Sequence, residues 1–470
     1  MKRPLVSPWI RKAVFFSLLI ACQAVVAQEL PPDLRHRIDA LANDALAKTG
    51  VPSASVAIVK DGKIAYVQAY GTARLDPLTP AKPEMRYCIG SISKQFTATA
   101  LLMLQEQGKL SLDDKVSKFV PGLTRGNEVT IRQLLSHTSG YQDFWPQDYA
   151  MPFILQPVTA QQIMDMWAKK PLDFDPGDKW QYSNTNFVIA GVIAEKASGM
   201  PLMEFLRHHV FTPLDMKSVA DTDNNSLGPA DPAAYIRYAL GPLRPAPKEG
   251  RGWMFAAGEL AMTAEDLAKW DISIIDQKLM KPVSYRAFAT EVLLNNGVGT
   301  QYALGVDVTN ESGRRRLAHC GEVSGFTAEN IVYPDDRVAI VALTNQDAAA
   351  ASGMIGRGIA PLLFETADAA TTQKLDQVRK IFEGLQRAQI DRTLFTSNAN
   401  SYFTDQALQD FAGSLGPLGT PQEFTQTRQS LRGGMTERVY RIKFAQKTLR
   451  AWTYEMPDGK LEQYMVAAAE

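Results

Sequence analysis

The 470-residue chain has little cysteine, three residues, and little histidine, five. So few cysteines exclude a disulfide-built scaffold even in an oxidising compartment. Neither C-x-x-C nor H-E-x-x-H occurs, so the sequence offers no metal site, and no cofactor is expected. The 50 basic side chains equal the 50 acidic ones, which removes any charge argument for a nucleic-acid partner. The G-x-S-x-G pentapeptide is also missing, and with it the strand-to-helix elbow of an α/β-hydrolase. No apolar run is long enough for an integral membrane span. What is present, 45% hydrophobic and 21% charged residues, is the balance of a soluble globular protein.

The N-terminus is the one strongly apolar stretch. "MKRPLVSPWIRK" supplies basic residues, "AVFFSLLIACQAVVA" an apolar segment, and "QELPP" a polar exit. This order predicts a secretory signal peptide over residues 1–27, cleaved after Ala27, and a secreted or periplasmic bacterial protein. The alternative is a periplasmic lipoprotein, because "LIAC" resembles a lipobox and would make Cys22 an acylated anchor. Cleavage takes away four basic side chains and no acid, so the net charge falls to −4, and Cys88 and Cys320 remain.

"LRHRIDALANDALAKTG" predicts an amphipathic helix closed by Gly50. "SASVAIVKDGKIAYVQAYG" predicts a hairpin turning at Asp61-Gly62. Residues 109–300 read as helix and loop, and strands return in "YALGVDVT", "RRLAHCG", "GFTAENIVYP" and "RVAIVALTN". Strands at both ends of a helical block imply an antiparallel sheet assembled from distant segments, with helices at 34–48 and 353–365 over one face. After "TADAATT" the pattern changes to two helices and three strands. Residues 28–365 and 366–470 are therefore expected to form two domains, the second a small α+β unit with a cystatin-like curved sheet.

One short segment carries candidate chemistry. In "CIGSISKQF", Ser91 stands three residues before Lys94 at the start of an apolar helix, and no other S-x-x-K occurs. Residues i and i+3 share a helix face, so the lysine can reach the hydroxyl, and burial favours the neutral amine that can act as a base. The plain alternative is a serine N-cap followed by a surface lysine. A buried helix is, however, an unusual place for a surface lysine.

Three further segments follow in order: "LLSHTSGY", "YSNTNFVIAG" and "HCGEVSGF". Together with "SISK" and "AAGELAMTAEDLAKW", they resemble the serine β-lactamase and penicillin-binding protein family. The likeness is to its class C-like branch, which includes esterases and D-amino-acid peptidases, and it runs from about Leu34 to Asp347. It implies the β-lactamase/transpeptidase α/β fold, an antiparallel sheet flanked by helices with a helical subdomain. It also implies a serine hydrolase working on an ester, amide or β-lactam through a Ser91 acyl-enzyme, with a small molecule or short peptide as substrate.

Residue by residue, the resemblance makes Ser91 the nucleophile, Lys94 the group that helps deprotonate it, and Tyr182 the second proton carrier, provided that Lys94 depresses its pKa. Asn184, His319 and Gly321 would contact substrate, and the backbone N–H groups of Ser91 and Glu322 would form the oxyanion hole. Ser183 or Asn184 could also cap the helix that follows. His319 stands where many lactamases have lysine and is a weaker anchor for a substrate carboxylate. Glu259 and Met262 replace the family's usual glycine and serine. His137 is expected to be structural, and His36, His208 and His209 to lie on the surface. Cys88 and Cys320 could form a disulfide, although two buried free thiols are the preferred expectation. The competing function is a catalytically silent binding protein on the same scaffold.

Overall fold

The computed structural model describes residues 29–145, 151–311, 313–364 and 369–469. The segment expected to be a signal peptide, with Cys22 of the alternative lipoprotein reading, lies outside the described residues. The chain divides into two compact units, the first ending at Leu362 and the second beginning at Leu363. Among the described residues no helix is long and apolar enough to cross a membrane.

In the first unit the Pro32–Thr49 helix ends on Gly50, whose φ of 71° lets its N–H reach back to Leu46 O. Ser53–Lys60 and Lys63–Leu75 form the expected hairpin. Asp61 and Gly62 turn it with φ values of 54° and 75°, the positive pair that matches strand twist. Seven strands make one antiparallel sheet. Its order is Leu78–Pro80, Lys63–Leu75, Ser53–Lys60, Val338–Thr344, Phe326–Tyr333, Arg314–Val323 and Asp307–Glu311. Ala54 lies opposite Thr344, so the beginning and end of the unit meet in the sheet centre.

Phe326–Tyr333 and Val338–Thr344 are buried along their whole length, as strands covered on both faces must be. On one face the Pro32–Thr49 and Ala351–Phe364 helices pack together. A Cβ at Gly358 would stand 2.7 Å from Leu41 Cδ1. The Ala264–Asp276 helix also lies against Ser53–Lys60 and Val338–Thr344.

The Ser93–Glu106 helix is buried from Ser93 through Leu104 and packs on the Asn184–Ser198 helix. A buried polar chain ties down its first turn. Trp270 Nε1 donates to Gln95 Oε1 (2.8 Å), Gln95 Nε2 to Asn330 Oδ1 (3.1 Å), and Asn330 Nδ2 to both Asp271 oxygens (2.9 Å). Each member is satisfied, so the chain fixes the helix without leaving an orphaned polar group.

A small sheet that the sequence reading did not anticipate joins Tyr87–Cys88, Leu260–Met262 and Ala220–Asp221. It holds the segment before Ser91 in place, and its strands are too short to leave a periodic pattern.

The second unit has helices Ala369–Leu385 and Asp405–Leu415 and a four-stranded meander over Glu423–Arg432, Met435–Lys443, Thr448–Glu455 and Leu461–Ala468. Phe382 packs on Phe424 and Phe444 at 5.9 and 6.1 Å between centroids. Three strands were expected. The fourth, "EFTQTRQSLR", is an edge strand and too polar to show alternation.

Candidate active site

Ser91 does not cap the helix. It sits in a 3-10 turn, Gly90–Ile92, that runs directly into the Ser93–Glu106 helix, and neither end makes a side-chain cap bond. With helical backbone already at Ile92, the hydroxyl is released from capping and meets Lys94 instead. Lys94 Nζ lies 2.8 Å from each of three oxygens: Ser91 Oγ, Asn184 Oδ1 and Ala257 O. Burial of the amine pulls its pKa from 10.5 down to about 7, while the Asp143 carboxylate and then Cys320 oppose the fall. A carbonyl and an amide oxygen can only accept. Of the three partners, Ser91 alone can donate, so the lone pair of neutral Lys94 has to face Ser91.

Tyr182 is hydrogen-bonded to Ser91, and its ring centroid lies 5.0 Å from Lys94 Nζ. The expected depression of its pKa is not found. Burial is the largest influence and raises the phenol well above 10, outweighing the Ser91 bond. Tyr182 is therefore a neutral phenol, and Lys94 is the group poised to accept a proton near neutrality.

Asn184 opens the Asn184–Ser198 helix. Ser183 occupies the cap position but makes no side-chain cap bond, so the capping expected of this pair is absent too. The Asn184 backbone N–H is taken by Asp143 Oδ1 at 2.8 Å. His137, expected to be structural, is fully buried. Its Nδ1 accepts from Ser183 N at 3.1 Å and its ring lies 4.2 Å from that of Tyr182. His36, His208 and His209 are exposed, as expected.

Gly321 brings the Arg314–Val323 strand against the Ser91 turn. A Cβ there would lie 1.9 Å from Ile89 O and 3.3 Å from Ser91 N. A Cβ at Gly90 would meet Glu322 N at 2.6 Å. The two amides expected to form an oxyanion hole thus lie on facing sides of one close backbone junction.

His319 is only 3% exposed, and both ring nitrogens are committed. Nδ1 is 2.5 Å from Cys320 O and Nε2 is 2.9 Å from the Tyr302 hydroxyl. Only the tautomer with a proton on Nδ1 satisfies both, so Nε2 accepts from Tyr302. Burial, and then Lys94, pull its pKa down to about 4. The imidazole is neutral, with both nitrogens bonded to protein atoms.

Cys88 and Cys320 are both free, so the disulfide is not formed. Cys88 is buried, but Cys320 is exposed, against the expectation of two buried thiols. Strand alternation is the reason: His319 and Gly321 face inward and Cys320 outward. Burial pushes the Cys88 thiol up to about 12. Glu259 is buried near Asp221, Asp223 and Glu195, and burial, then the Asp221 charge, raises its carboxyl well above 4.5. Met262 is buried opposite Tyr87. Among the described residues no cluster of metal-ligating side chains occurs.

Asp143, Tyr302 and the Ala257 carbonyl were missed by sequence reasoning. Each reaches the site from a loop, with no spacing rule linking it to Ser91.

The Beta-lactamase family model matches residues 38–359. The chain is 29% identical over 308 residues to "Penicillin-binding protein 4*" of Bacillus subtilis (strain 168), covering 62% of this chain and 68% of that one. It is 28% identical over 330 residues to "Protein flp" of Staphylococcus aureus (strain MW2), covering 67% of this chain and 64% of that protein's length. Among solved structures, a D-stereospecific amidohydrolase from Streptomyces sp. superposes with a TM-score of 0.59 at 28% identity, over 67% of this chain and 96% of that one. With the family model spanning the sheet, the Ser91 helix and the Tyr182 and His319 segments, the chain belongs to the Beta-lactamase family and is a serine hydrolase of the β-lactamase and penicillin-binding-protein type.

Proposed function

We propose that the protein is an exported hydrolase that cleaves esters or amides through a Ser91 acyl-enzyme. The observation that carries this reading is the partner set of Lys94, whose one reversible hydrogen bond runs to Ser91 Oγ at 2.8 Å. In acylation, Ser91 Oγ attacks the substrate carbonyl carbon as its proton passes to the Lys94 lone pair. The amides of Ser91 and Glu322 receive the developing oxyanion. Collapse of the tetrahedral intermediate breaks the bond to the leaving group, which takes its proton from the Tyr182 phenol as Lys94 returns one to Tyr182. Water then repeats the sequence: its proton goes to Lys94 through Tyr182, its oxygen bonds the acyl carbon, and Ser91 Oγ leaves with a proton.

His319 narrows the substrate class. Neutral and bonded to Tyr302 and Cys320, it supplies no cation for a substrate carboxylate of the kind penicillins carry. Uncharged esters and amides are therefore preferred to carboxylate-bearing lactams. The Streptomyces amidohydrolase, named as D-stereospecific, makes D-amino-acid amides the first amides to try. Export rests on the signal-like residues 1–27.

The test is a substrate panel of short nitrophenyl esters, D-amino-acid amides and a chromogenic cephalosporin, with covalent labelling by a serine-reactive probe. Turnover of esters or amides that is lost, together with labelling, in Ser91→Ala is expected. Labelling that survives at another serine would refute the nucleophile, and fast lactam turnover would refute the His319 argument.

A further inference from the structure

Asp143 follows the buried segment His137–Tyr141 and is aimed at the start of the Asn184–Ser198 helix. Its Oδ1 accepts from the backbone N–H of Asn184 (2.8 Å) and of Trp145 (3.2 Å), and its Oδ2 faces Asn184 Nδ2 at 3.3 Å. Burial raises the Asp143 carboxyl above its ordinary 3.8, and the three donors, with the Lys94 cation, pull it back toward the ionised form. On its other side, the Asn184 amide meets Lys94 through Oδ1 at 2.8 Å.

We propose that Asp143 is a positioning residue of the acyl-transfer site: it orients Asn184 so that the amide oxygen receives Lys94 and one amide N–H remains for substrate. The inference rests on the acyl-enzyme reading above. A carboxylate only accepts, and the two N–H groups of Lys94 not aimed at Ser91 only donate. The Asn184 side chain therefore has one orientation that satisfies both neighbours, with Nδ2 toward Asp143. Of its two Nδ2 protons, Asp143 takes one, and the other is free to meet a substrate carbonyl.

Asp143 also sets the electrostatics of Lys94. The titratable groups facing that amine are Tyr182, His137, His319, Cys320 and Asp143. The first is a neutral phenol, the two histidines are neutral, and the Cys320 thiol is held above its ordinary value. Among the described residues Asp143 is the larger of the two groups, with Cys320 second, that favour the charged amine. It holds the amine up against the larger effect of burial, so that Lys94 titrates near neutrality instead of lower.

Asp143→Asn keeps the shape and removes the charge, whereas Asp143→Glu keeps the charge and moves it. The resting proteins are titrated by NMR with 13C-labelled lysine, Lys94 being assigned by its loss in Lys94→Met, and ester hydrolysis is followed against pH. In Asp143→Asn the Lys94 midpoint falls by about one unit from about 7, the size a neighbouring opposite charge supplies, and the acid limb of kcat/KM moves with it. In Asp143→Glu the midpoint stays within a few tenths of a unit while kcat/KM falls about tenfold at every pH, because Asn184 is no longer held in register. A Lys94 midpoint unchanged in folded Asp143→Asn, or Asp143→Glu with wild-type kcat/KM, overturns the proposal. The NMR titration needs no turnover: a midpoint shift in a protein that hydrolyses nothing would leave Asp143 in place and remove the acyl-enzyme reading.

Discussion

Lys94 Nζ stands 2.8 Å from Ser91 Oγ, and Ser91 is the single partner of that amine able to return a hydrogen bond. Burial lowers the Lys94 pKa to about 7, so the amine gains its lone pair as pH rises through that value. Ester kcat/KM is expected to rise about tenfold per pH unit below about 7 and to level off above it. A flat profile between pH 5 and 7 would remove Lys94 as the proton acceptor.

Replacing Lys94 by arginine keeps a cation and forbids its deprotonation. Loss of general-base catalysis typically costs 10²–10⁴-fold, so Lys94→Arg is expected to lower the acylation rate by roughly 10³. Stopped-flow burst kinetics with a nitrophenyl ester measures this step. Activity within tenfold of wild type would show that the lysine serves only as a charge.

Gly321 is the place where the Arg314–Val323 strand touches the nucleophile turn, with 1.9 Å between a hypothetical Cβ and Ile89 O. Backbone cannot yield as a side chain does. Gly321→Ala is expected to displace the strand from the turn, cost about 1–3 kcal/mol of stability by overpacking, and lower kcat/KM by at least about 10² through the oxyanion amides. Urea unfolding and kinetics on one preparation would settle both effects.

His319 titrates near 4 in the folded protein and near 6.5 in an unfolded chain. The unfolded state thus binds the proton first. The stability contributed by neutral His319 is complete above pH 6.5 and is lost as pH falls toward 4. His137, also lowered by burial, adds to the same slope. Unfolding free energy measured from pH 7 to pH 4 is expected to fall less steeply in His319→Gln than in wild type. Parallel curves would contradict the assignment of a buried neutral imidazole.

The outward Cys320 is expected to react with a maleimide in the native protein, while buried Cys88 stays unlabelled until denaturant is added. Peptide mapping reads both sites. Because Cys320 adjoins Gly321 on the strand that lines the nucleophile turn, its labelling is expected to slow ester turnover. Prompt labelling of Cys88 would mean that the small sheet holding it opens readily.

Much of this arrangement was legible in the order of residues. Asp61-Gly62 between two alternating runs specifies a hairpin because both turn positions need positive φ. S-x-x-K specifies a shared helix face, and the ordered "YSN" and "HCG" segments led to the family and to the residues that the fold brings to Ser91. The rest depends on a three-dimensional environment that no local pattern encodes. The Tyr182 pKa rises because burial outweighs the expected help from Lys94, and His319 meets Tyr302, which is 17 residues away along the chain. Ser91 looked like a cap until the 3-10 turn before the helix freed its hydroxyl.

What the sequence by itself determined is the set of groups and the elements that carry them, since helix and strand periodicities are local and need no knowledge of distant contacts. The tertiary structure alone decided their protonation and orientation. Burial raises Tyr182 and lowers Lys94 and His319, and Asp143, from a loop, turns Asn184 toward Lys94. Those properties depend on which dipoles, charges and apolar walls surround a side chain, and only the folded chain brings them together.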